Sequence, residues 1–512
     1  MSVEYPQQQP PTVGATALTA LRRHPGRVAF SWDGGELRYG AALELIGRIQ
    51  GVFAAQGLRR GDRVAILSGN KAESWLSAVA AWASGMVITY LHQLGALADH
   101  LYQLQDSGAS TLVVDQTKFT ARGAELAEQA TGLRVVFTMG PADFGRDLRA
   151  AAEAIGCQRA RDVAVPGDLL WLNYTGGTTG RPKGVQYRHR SVLGHTRAVL
   201  TDFELPHRPR YLAAAPITHV AGTKILPVLT RGGTVHLLDR FTPRQVLEVI
   251  QRERINTTLL VPTMIYAILE DSALDRTDLS SLELLLYGAS SMSQQRLREG
   301  HERIGRVFAQ LYGQSECYPI SYLSRDDHRE GNPALLASCG FPVHGVQVAL
   351  LDQDGHAVPE GEPGEICVRS QSAMDGYWNL PELTAEALRG GWLHTGDVGR
   401  RDERGYLTIV DRKKDMIISG GFNVFPREVE DALTAHPAVS SAAVYGKPDD
   451  RWGEAVTAAV ILRPGATVTA AELIAHVREL KGPVQAPKQL HIVDELPTTT
   501  LGKVDKVRLR NL

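Results

Sequence analysis

The residues best suited to chemistry lie in one stretch near the end of the first third of the chain, residues 174–184, which reads Tyr-Thr-Gly-Gly-Thr-Thr-Gly-Arg-Pro-Lys-Gly. Glycine and threonine let backbone N–H groups and hydroxyls converge on an anion, because no bulky side chain blocks a close approach. Lys183 adds a positive charge beside these donors. The stretch therefore predicts a binding site for a polyphosphate.

The spacing of the stretch matches neither of two common nucleotide signatures. The Walker motif needs a lysine followed by serine or threonine, and the dinucleotide fingerprint needs Gly-x-Gly-x-x-Gly. A P-loop NTPase and a Rossmann dehydrogenase are therefore not supported. A flexible surface loop is the plain structural alternative, and the Pro-Lys-Gly ending argues against it.

The stretch resembles the phosphate-binding signature of the adenylate-forming superfamily, which includes acyl- and aryl-CoA synthetases, adenylation domains of nonribosomal peptide synthetases and beetle luciferase. Among these, the chain is most similar to bacterial fatty-acid CoA ligases. The resemblance implies that the loop binds the phosphates of ATP and that Thr175 also acts in catalysis. The loop residues with this predicted role are Thr175, Gly176, Gly177, Thr178, Thr179, Gly180 and Lys183.

A second motif, Leu-Tyr-Gly-Gln-Ser-Glu at residues 311–316, resembles the family's Tyr-Gly-x-Thr-Glu. Ser315 replaces the threonine and keeps the hydroxyl. The resemblance implies that Tyr312 lies against the adenine, with Gly313 and Ser315 nearby, and that Glu316 binds Mg²⁺, a hard cation that prefers carboxylate and phosphate oxygens. Without the resemblance, the motif would indicate only a strand end followed by a turn.

Two further segments resemble those that flank the adenine and the acyl group in the family. The first contains Gly288, Ala289 and Ser290, whose small side chains leave room for a planar base. The second contains His219, which would border the acyl group, although a hydrogen-bonded core histidine is an open alternative. Because these pocket candidates carry no obvious charge, we expect a fatty or otherwise bulky and apolar acid.

The motif Trp-Leu-His-Thr-Gly-Asp at residues 392–397 resembles the family's ribose-binding segment. A carboxylate can accept two charge-assisted hydrogen bonds at once, and Asp397 is the residue expected to bind both ribose hydroxyls. Arg412, in the charged run at residues 411–415, matches an arginine that contacts the nucleotide. Lys414 matches the family's hinge position, and a solvated lysine is the alternative there.

The C-terminal motif Leu-Pro-Thr-Thr-Thr-Leu-Gly-Lys ends at Lys503, which matches the family's catalytic lysine of adenylation. Gly420, Gly421 and Trp452 match positions that some relatives use for coenzyme A. The segment at residues 483–487, Pro-Val-Gln-Ala-Pro, departs from the family, because it has neither the aromatic nor the basic residue that some relatives place there. The acceptor thiol therefore stays open between coenzyme A and another thiol.

Together the motifs imply an ATP-dependent, AMP-forming acid–thiol ligase that uses ATP, Mg²⁺ and coenzyme A. An enzyme that performs one half-reaction, either thioesterification of a preformed acyl-adenylate or loading of a carrier-protein thiol, is the main alternative. A nucleotide-binding regulator without chemistry is less favoured, because both Glu316 and Lys503 are retained. A carrier protein, an adenylating partner and a second copy of the chain stay open as partners.

The pattern of apolar runs predicts the elements that must position these residues. Apolar runs bounded by turn residues alternate with helical segments over the first two thirds of the chain, which is typical of a parallel sheet. Strands are predicted at residues 64–67, 111–114, 211–215, 234–238, 257–261 and 284–287, and helices at 75–83 and 243–253. Beyond residue 340, short strands at 346–351, 364–369 and 406–410 predict a small antiparallel, β-barrel-like region.

The chain is thus predicted to have an α/β fold with two domains. We expect a large N-terminal domain at residues 1–411, made of α/β subdomains and the small β region, and a mobile α+β domain at residues 412–512 that carries Lys503. The net charge of −1 gives no support for nucleic-acid binding. Residues 1–11 predict a disordered lead-in, not a secretory signal.

The remaining composition points to a reduced compartment. The four cysteines show neither zinc spacing nor a disulfide framework. Residues 74–98 lack charged residues, but polar residues interrupt them, so a buried helix followed by a strand is predicted there in place of a membrane span. These observations favour a cytoplasmic protein.

Overall fold

The computed structural model describes residues 10–175, 182–290, 292–412, 415–419, 422–449, 452–498 and 504–510. The helices are α1 (Val13–Arg23), α2 (Tyr39–Ala55), α3 (Ala72–Ala83), α4 (Leu97–Ser107), α5 (Gln116–Gln129), α6 (Leu148–Ile155), α7 (His189–Asp202), α8 (Ile225–Thr230), α9 (Pro243–Arg252), α10 (Pro262–Glu270), α11 (Gln294–Arg303), α12 (Arg325–Glu330), α13 (Pro333–Ala337), α14 (Pro381–Ala387), α15 (Pro426–Thr434), α16 (Ala470–Gln485) and α17 (Lys506–Arg510). Short 3₁₀ turns span Gly222–Lys224, Leu274–Arg276 and Arg389–Gly391.

The strands are β1 (Val28–Trp32), β2 (Gly35–Arg38), β3 (Arg63–Leu67), β4 (Val87–Tyr90), β5 (Thr111–Val114), β6 (Val135–Thr138), β7 (Arg146–Asp147), β8 (Leu169–Thr175), β9 (Lys183–Arg188), β10 (Arg210–Ala213), β11 (Thr234–Leu237), β12 (Thr257–Leu260), β13 (Leu284–Tyr287), β14 (Phe308–Gln314), β15 (Cys317–Leu323), β16 (Phe341–Pro342), β17 (Val346–Leu351), β18 (Gly364–Ser370), β19 (Gly376–Tyr377), β20 (Leu393–Arg401), β21 (Leu407–Arg412), β22 (Ile417–Ser419), β23 (Phe422–Val424), β24 (Val439–Asp449), β25 (Gly453–Leu462) and β26 (Gln489–Ile492).

Two large sheets form the body of the molecule. The first has the order β16-β15-β14-β13-β12-β10-β11-β1-β2, and its strands from β14 to β1 run parallel. The second has the order β19-β9-β8-β4-β3-β5-β6-β7, and only β8–β9 and β9–β19 pair antiparallel. Helices connect the parallel strands, as the predicted alternation requires.

One hydrophobic core joins the two sheets. Helix α3 is buried along almost its whole length, and its Trp75 ring lies 5.6 Å from the ring of Phe30 on β1. Such a helix presents no broad polar face to water, so its sequence is mostly apolar, with the small polar residues Ser74 and Ser77 buried. This burial explains the uncharged stretch at residues 74–98, and the predicted buried helix followed by a strand is confirmed as α3 and β4.

The predicted antiparallel region is present as a four-stranded sheet with the order β17-β18-β20-β21. Beyond it, strands β22 to β26 form a separate sheet, with β26 parallel to β25 and the others antiparallel. This sheet and helices α15 and α16 share a core of their own that includes Val429, Val456 and Leu473. A large α/β domain followed by a small α+β domain is therefore confirmed, while the boundary at residues 411/412 stays a prediction.

Most predicted strands agree with the structure to within a residue or two. Strands β5, β13 and β17 coincide with their predicted ranges, and β10, β11 and β12 end one or two residues earlier than predicted. No disulfide joins the four cysteines, all of which lie in the described residues, and three of them are buried. No helix in the described parts of the chain is long and apolar enough to cross a membrane. Most of the predicted lead-in, residues 1–9, lies outside the described residues.

Candidate active site

The two ends of the glycine-rich stretch lie side by side. Thr175 is the last residue of β8 and Lys183 the first of β9, and the two residues pair directly in the antiparallel register. Strand pairing therefore brings a threonine hydroxyl and a lysine ammonium to the mouth of the connecting loop. The predicted phosphate-binding residues between them, Gly176, Gly177, Thr178, Thr179 and Gly180, lie outside the described residues.

Asp106 on α4 anchors this strand pair. Its carboxylate accepts a hydrogen bond from the hydroxyl of Tyr174 at 2.6 Å, and its backbone carbonyl accepts one from the indole nitrogen of Trp378 at 2.8 Å. Gly184 lies between the two side chains, where an added Cβ would be 3.1 Å from the Tyr174 ring and 3.2 Å from Trp378 Cβ. The glycine thus allows both aromatic side chains to pack against the start of β9.

The turn between β14 and β15 consists of Ser315 and Glu316. Glu316 Oε1 accepts a hydrogen bond from the Tyr377 hydroxyl at 2.8 Å, and the Glu316 backbone carbonyl accepts one from the Met374 N–H at 2.8 Å. In the described part of the chain, Glu316 Oε2 has no hydrogen-bond partner. A carboxylate with one fixed and one available oxygen fits a hard cation such as Mg²⁺.

Two further contacts stabilise the turn with Ser315 and Glu316. The Tyr187 hydroxyl donates a hydrogen bond to the backbone carbonyl of Ser315. Gly313 packs against Tyr318, because a Cβ on Gly313 would lie 3.0 Å from the Tyr318 ring. The small residues of the motif therefore permit a close approach between the turn and the following strand.

Tyr312 and Asp397 meet across two sheets. The buried Tyr312 hydroxyl donates to Asp397 Oδ2 at 2.7 Å, and Arg412 Nε lies 3.4 Å from Asp397 Oδ1. Asp397 and Arg412 are direct partners in the β20–β21 register. Burial and the neighbouring Asp397 carboxylate raise the pKa of Tyr312 well above its usual value, so its hydroxyl stays a donor. The structure thus brings together three residues predicted to contact the nucleoside.

Glu365 on β18 contacts the residues that immediately precede Asp397 in the chain. Its Oε1 accepts the Gly396 N–H at 3.1 Å, and its Oε2 lies 3.1 Å from both His394 Nδ1 and Arg389. The carboxylate therefore ties the ribose motif to its neighbouring strand. No local pattern in the sequence indicated this role, since Glu365 lies 31 positions before Gly396.

The segment predicted to flank the adenine follows β13. Gly288 is buried, and a Cβ there would lie 2.5 Å from the backbone carbonyl of Leu311, so only glycine allows β13 and β14 to approach this closely. Ala289 has a φ of +69°, which is strained for a residue with a side chain. Ala289 and Ser290 are exposed.

His219 lies in a tight turn after β10. Its Nδ1 is 2.8 Å from the Thr218 hydroxyl, and its ring meets the ring of His92 edge to face at 4.7 Å. Burial lowers the pKa of His219 to about 3, so the ring is neutral at neutral pH. A Cβ on Gly222 would lie 1.8 Å from the Ile217 carbonyl, so the turn requires glycine. A neutral imidazole suits an apolar acyl group.

Lys224 is a buried residue that the sequence did not single out. It is fully enclosed, and its ammonium nitrogen hydrogen-bonds the hydroxyls of Thr223, at 2.9 Å, and Tyr318. No carboxylate in the described part of the chain lies within ion-pair distance. Burial lowers its pKa well below the usual value. In the sequence, only the position of Lys224 shortly after the turn with His219 could have drawn attention to it.

The small domain contributes Trp452 to the predicted coenzyme A site. The Lys488 ammonium lies 5.0 Å from the Trp452 ring centre, and it also donates to the carbonyls of Pro483, Val484 and Ala486 at 2.8 to 3.1 Å. Lys488 therefore closes the turn whose sequence departs from the family. The predicted residues Lys414, Gly420, Gly421 and Lys503 lie outside the described residues.

The last residues of β21 connect the two domains. Asp411 accepts hydrogen bonds from the N–H groups of Arg412, at 2.7 Å, and of Arg427, at 3.0 Å, and Arg427 belongs to the small domain. Burial raises the pKa of Asp411 to about 6. A second contact joins Arg463 of the small domain to Gln295 on α11 at 2.8 Å.

The described geometry can therefore bind a nucleoside triphosphate. Thr175 and Lys183 offer donors for phosphates, Glu316 offers an oxygen for a divalent cation, and the Tyr312–Asp397 pair offers a ring and a carboxylate for the nucleoside. These groups come from both large sheets and from the antiparallel sheet. A fold and site of this kind define an adenylate-forming enzyme.

The chain belongs to the AMP-binding enzyme family, which it matches over residues 18–378, and residues 428–503 match the AMP-binding enzyme C-terminal domain. A medium/long-chain-fatty-acid–CoA ligase of Mycobacterium tuberculosis is 43% identical, with 97% of this chain and 89% of that protein covered. A feruloyl-CoA synthase of an Amycolatopsis species is 36% identical, with 97% and 98% covered. The solved structure of the amide bond synthetase McbA from Marinactinospora thermotolerans is 35% identical, covers 97% of this chain and 99% of its own, and has a TM-score of 0.90.

Proposed function

We propose that this enzyme converts a fatty or other bulky apolar acid to its acyl-adenylate and then to its CoA thioester. It is an ATP-dependent, AMP-forming acid–thiol ligase of the acyl-CoA synthetase type. Family membership and the CoA ligases among its relatives support the reaction class. The observation that carries the choice of acid is the half-buried, neutral His219 beside the predicted acyl position. The 43% identity with a fatty-acid CoA ligase agrees with it.

In the first step, a carboxylate oxygen of the acid attacks the α-phosphorus of ATP, and the bond to the pyrophosphate oxygen breaks. An anion approaches a polyanion, so the barrier is largely electrostatic. Lys183 and the Thr175 hydroxyl, which pair across β8 and β9, would bind phosphate oxygens. We assign Lys503 the task of adding positive charge as the pyrophosphate leaves.

Glu316 is the residue that would bind Mg²⁺, through the oxygen that Tyr377 leaves available. The cation would supply charge neutralisation across the phosphates. Tyr312 and Asp397 would orient the nucleoside, since the phenol fixes the carboxylate that meets the ribose hydroxyls.

In the second step, the thiol sulfur attacks the acyl carbon, loses its proton, and the bond between the acyl group and AMP breaks. We assign the thiol path to the segment around Gly420 and Gly421, with Trp452 contacting coenzyme A. Loading of a carrier-protein thiol, or catalysis of one half-reaction alone, is the second candidate. The departure at Val484 and Ala486, whose carbonyls bind Lys488, favours testing it. The lack of a disulfide among the four described cysteines supports a cytoplasmic location.

The test is mass spectrometry of the products from purified protein, Mg-ATP and a panel of carboxylic acids, with and without coenzyme A. Synthetic acyl-adenylates are supplied in parallel reactions. Thioester from free acid and ATP supports the two-step ligase and identifies its acid. Thioester from the supplied adenylate alone would overturn the first step, and acyl-adenylate that accumulates without thioester in the presence of coenzyme A would overturn the second.

A further inference from the structure

One short segment, residues 372–378, lies between the glycine-rich strand pair and the turn that carries Glu316. We call it the bridging segment. On one side its β19 part pairs with β9, where Tyr377 faces Val185, and the Trp378 N–H donates to the Gly184 carbonyl at 2.7 Å. The bridging segment is therefore fixed to the strand that begins at Lys183.

On its other side, the bridging segment is fixed to the Glu316 turn. The Met374 N–H donates to the Glu316 carbonyl at 2.8 Å, and Ala373 pairs with Cys317 in an isolated bridge. Backbone contacts on both sides leave little freedom for the segment between them. The bridging segment therefore fixes the strand that begins at Lys183 and the turn that carries Glu316 relative to each other.

The Tyr377 side chain lies at the centre of this arrangement. Its hydroxyl donates to Glu316 Oε1 at 2.8 Å, and the Lys183 ammonium lies 5.4 Å from the centre of its ring. One phenol thus contacts both groups that the proposed function uses on the triphosphate. A cation over an aromatic ring is attracted to its face, so the contact also orients Lys183.

The geometry points to Tyr377 as a positioning residue that fixes the Glu316 carboxylate for the divalent cation and couples it to Lys183. The inference rests on the proposed function, in which Glu316 binds Mg²⁺. Because the phenol occupies Oε1, Oε2 is the oxygen presented to the cation. Without the phenol, the carboxylate has more rotational freedom to lose when the cation binds.

The first measurement is Mn²⁺ binding by electron paramagnetic resonance in the presence of α,β-methylene-ATP, which cannot form an adenylate. We expect Tyr377→Phe to weaken Mn²⁺ binding about tenfold, the scale of one hydrogen bond to a charged group. Binding of the nucleotide analogue without metal should stay within about twofold. Tyr377→His, which retains a ring donor, should recover part of the metal affinity.

The matched control is Tyr406→Phe, which removes another phenol that donates to a carboxylate, that of Asp327, at 2.7 Å. Its Mn²⁺ affinity should equal that of the unchanged protein. In the double variant Tyr377→Phe, Glu316→Gln, metal binding should be no weaker than in Glu316→Gln alone, because Tyr377 acts through Glu316.

Three results would overturn the inference, and they differ in what else they overturn. If Glu316→Gln weakens Mn²⁺ binding but Tyr377→Phe does not, Tyr377 has no positioning role and the metal role of Glu316 stands. If Glu316→Gln itself leaves Mn²⁺ binding unchanged, the metal assignment in the proposed function fails as well. A loss of metal-free nucleotide binding equal to the loss of Mn²⁺ binding would assign Tyr377 a merely structural role.

Discussion

Tyr312 donates its hydroxyl to Asp397 across 2.7 Å, so the predicted adenine-side residue and the predicted ribose-side residue form one unit although 85 positions separate them. Arg412 approaches the other oxygen of the same carboxylate. The carboxylate is thus oriented before any nucleotide arrives. Such pre-organisation lowers the conformational cost of binding.

We expect Tyr312→Phe to raise the KM for ATP about tenfold, because the loss of one hydrogen bond to a charged carboxylate costs roughly 1.5–3 kcal/mol. Asp397→Asn should raise it further, since the charge that accepts the ribose hydroxyls is also lost. Steady-state kinetics at saturating acid would measure both. The KM for the acid serves as the internal control, and an unchanged KM for ATP in both variants would refute the nucleoside assignment.

Asp106→Ala should weaken ATP binding from a distance. The substitution leaves the Tyr174 hydroxyl without its carboxylate partner beside the glycine-rich strands, at a cost of about 1–3 kcal/mol in the free energy of unfolding. Chemical denaturation and equilibrium binding of ATP would measure the two effects. The double variant Asp106→Ala, Tyr174→Phe should regain part of the stability, because no polar group is left unpaired. Equal stability of the single and double variants would contradict this.

The two proposed half-reactions should respond to different substitutions. Lys503→Ala should suppress acyl-adenylate formation while thioester formation from a supplied adenylate is largely kept, because the lysine acts on the departing pyrophosphate. Gly421→Leu should have the reverse effect by blocking the thiol path. Separate assays of pyrophosphate release and thioester formation would measure them. Equal loss of both steps in each variant would show that the two assignments are wrong.

The buried Lys224 amine makes stability depend on alkaline pH. Its pKa is lowered in the folded state, so the unfolded state binds more protons between that lowered pKa and the usual 10.5. Stability should therefore rise with pH across this window, by up to about 1.4 kcal/mol per pH unit from this group. Burial raises the pKa values of Cys317 and Cys339, which acts in the opposite direction, so the test compares the unchanged protein with Lys224→Met by urea denaturation at about pH 8 and about pH 9.5. The change in stability with rising pH should be more favourable in the unchanged protein than in Lys224→Met, and an equal change would exclude a contribution from Lys224.

Buried histidines should lower the free energy of unfolding at acidic pH. Burial lowers the pKa of His189, His195, His236 and His328 to about 4, whereas the unfolded value is 6.5. The unfolded state binds more protons below that value, so stability is lost as the pH falls from 6.5 towards 4, by roughly 2 kcal/mol per histidine at about pH 5.

Urea midpoints between about pH 7 and about pH 5 would measure this loss. His195→Phe replaces a ring whose Nδ1 has no hydrogen-bond partner in the described part of the chain, and it should reduce the proton uptake on unfolding by about one. A proton uptake identical to that of the unchanged protein would contradict the shifted pKa.

The strands were predictable where both faces are buried. Leu284–Tyr287 reads as a continuous apolar run because parallel strands lie under helices on both sides, and its bounds agree with the structure. The motif residues Tyr312, Glu316 and Asp397 were singled out by their resemblance to family motifs, and the structure places them in β14, in the turn after β14 and within β20. Their roles stay predictions.

Contacts between distant parts of the chain could not be predicted in the same way. Asp106, Glu365 and Tyr377 each support a motif residue through a hydrogen bond across the fold, and nothing in their neighbouring sequence indicates the partner. Lys224 is a further example, since a lysine is normally a solvated residue. Its burial depends on Tyr318, which is 94 positions away.

The Asp411 carboxylate accepts two hydrogen bonds, one from the N–H group of its neighbour Arg412 on β21 and one from that of Arg427 in the small domain. Burial raises the pKa of Asp411 to about 6, so the carboxylate binds a proton more tightly in this arrangement than it would in water. The predicted movement of the small domain would expose the carboxylate and return its pKa towards the usual value. Mild acid should therefore favour the described arrangement of the two domains, through one proton on a carboxylate next to Arg412.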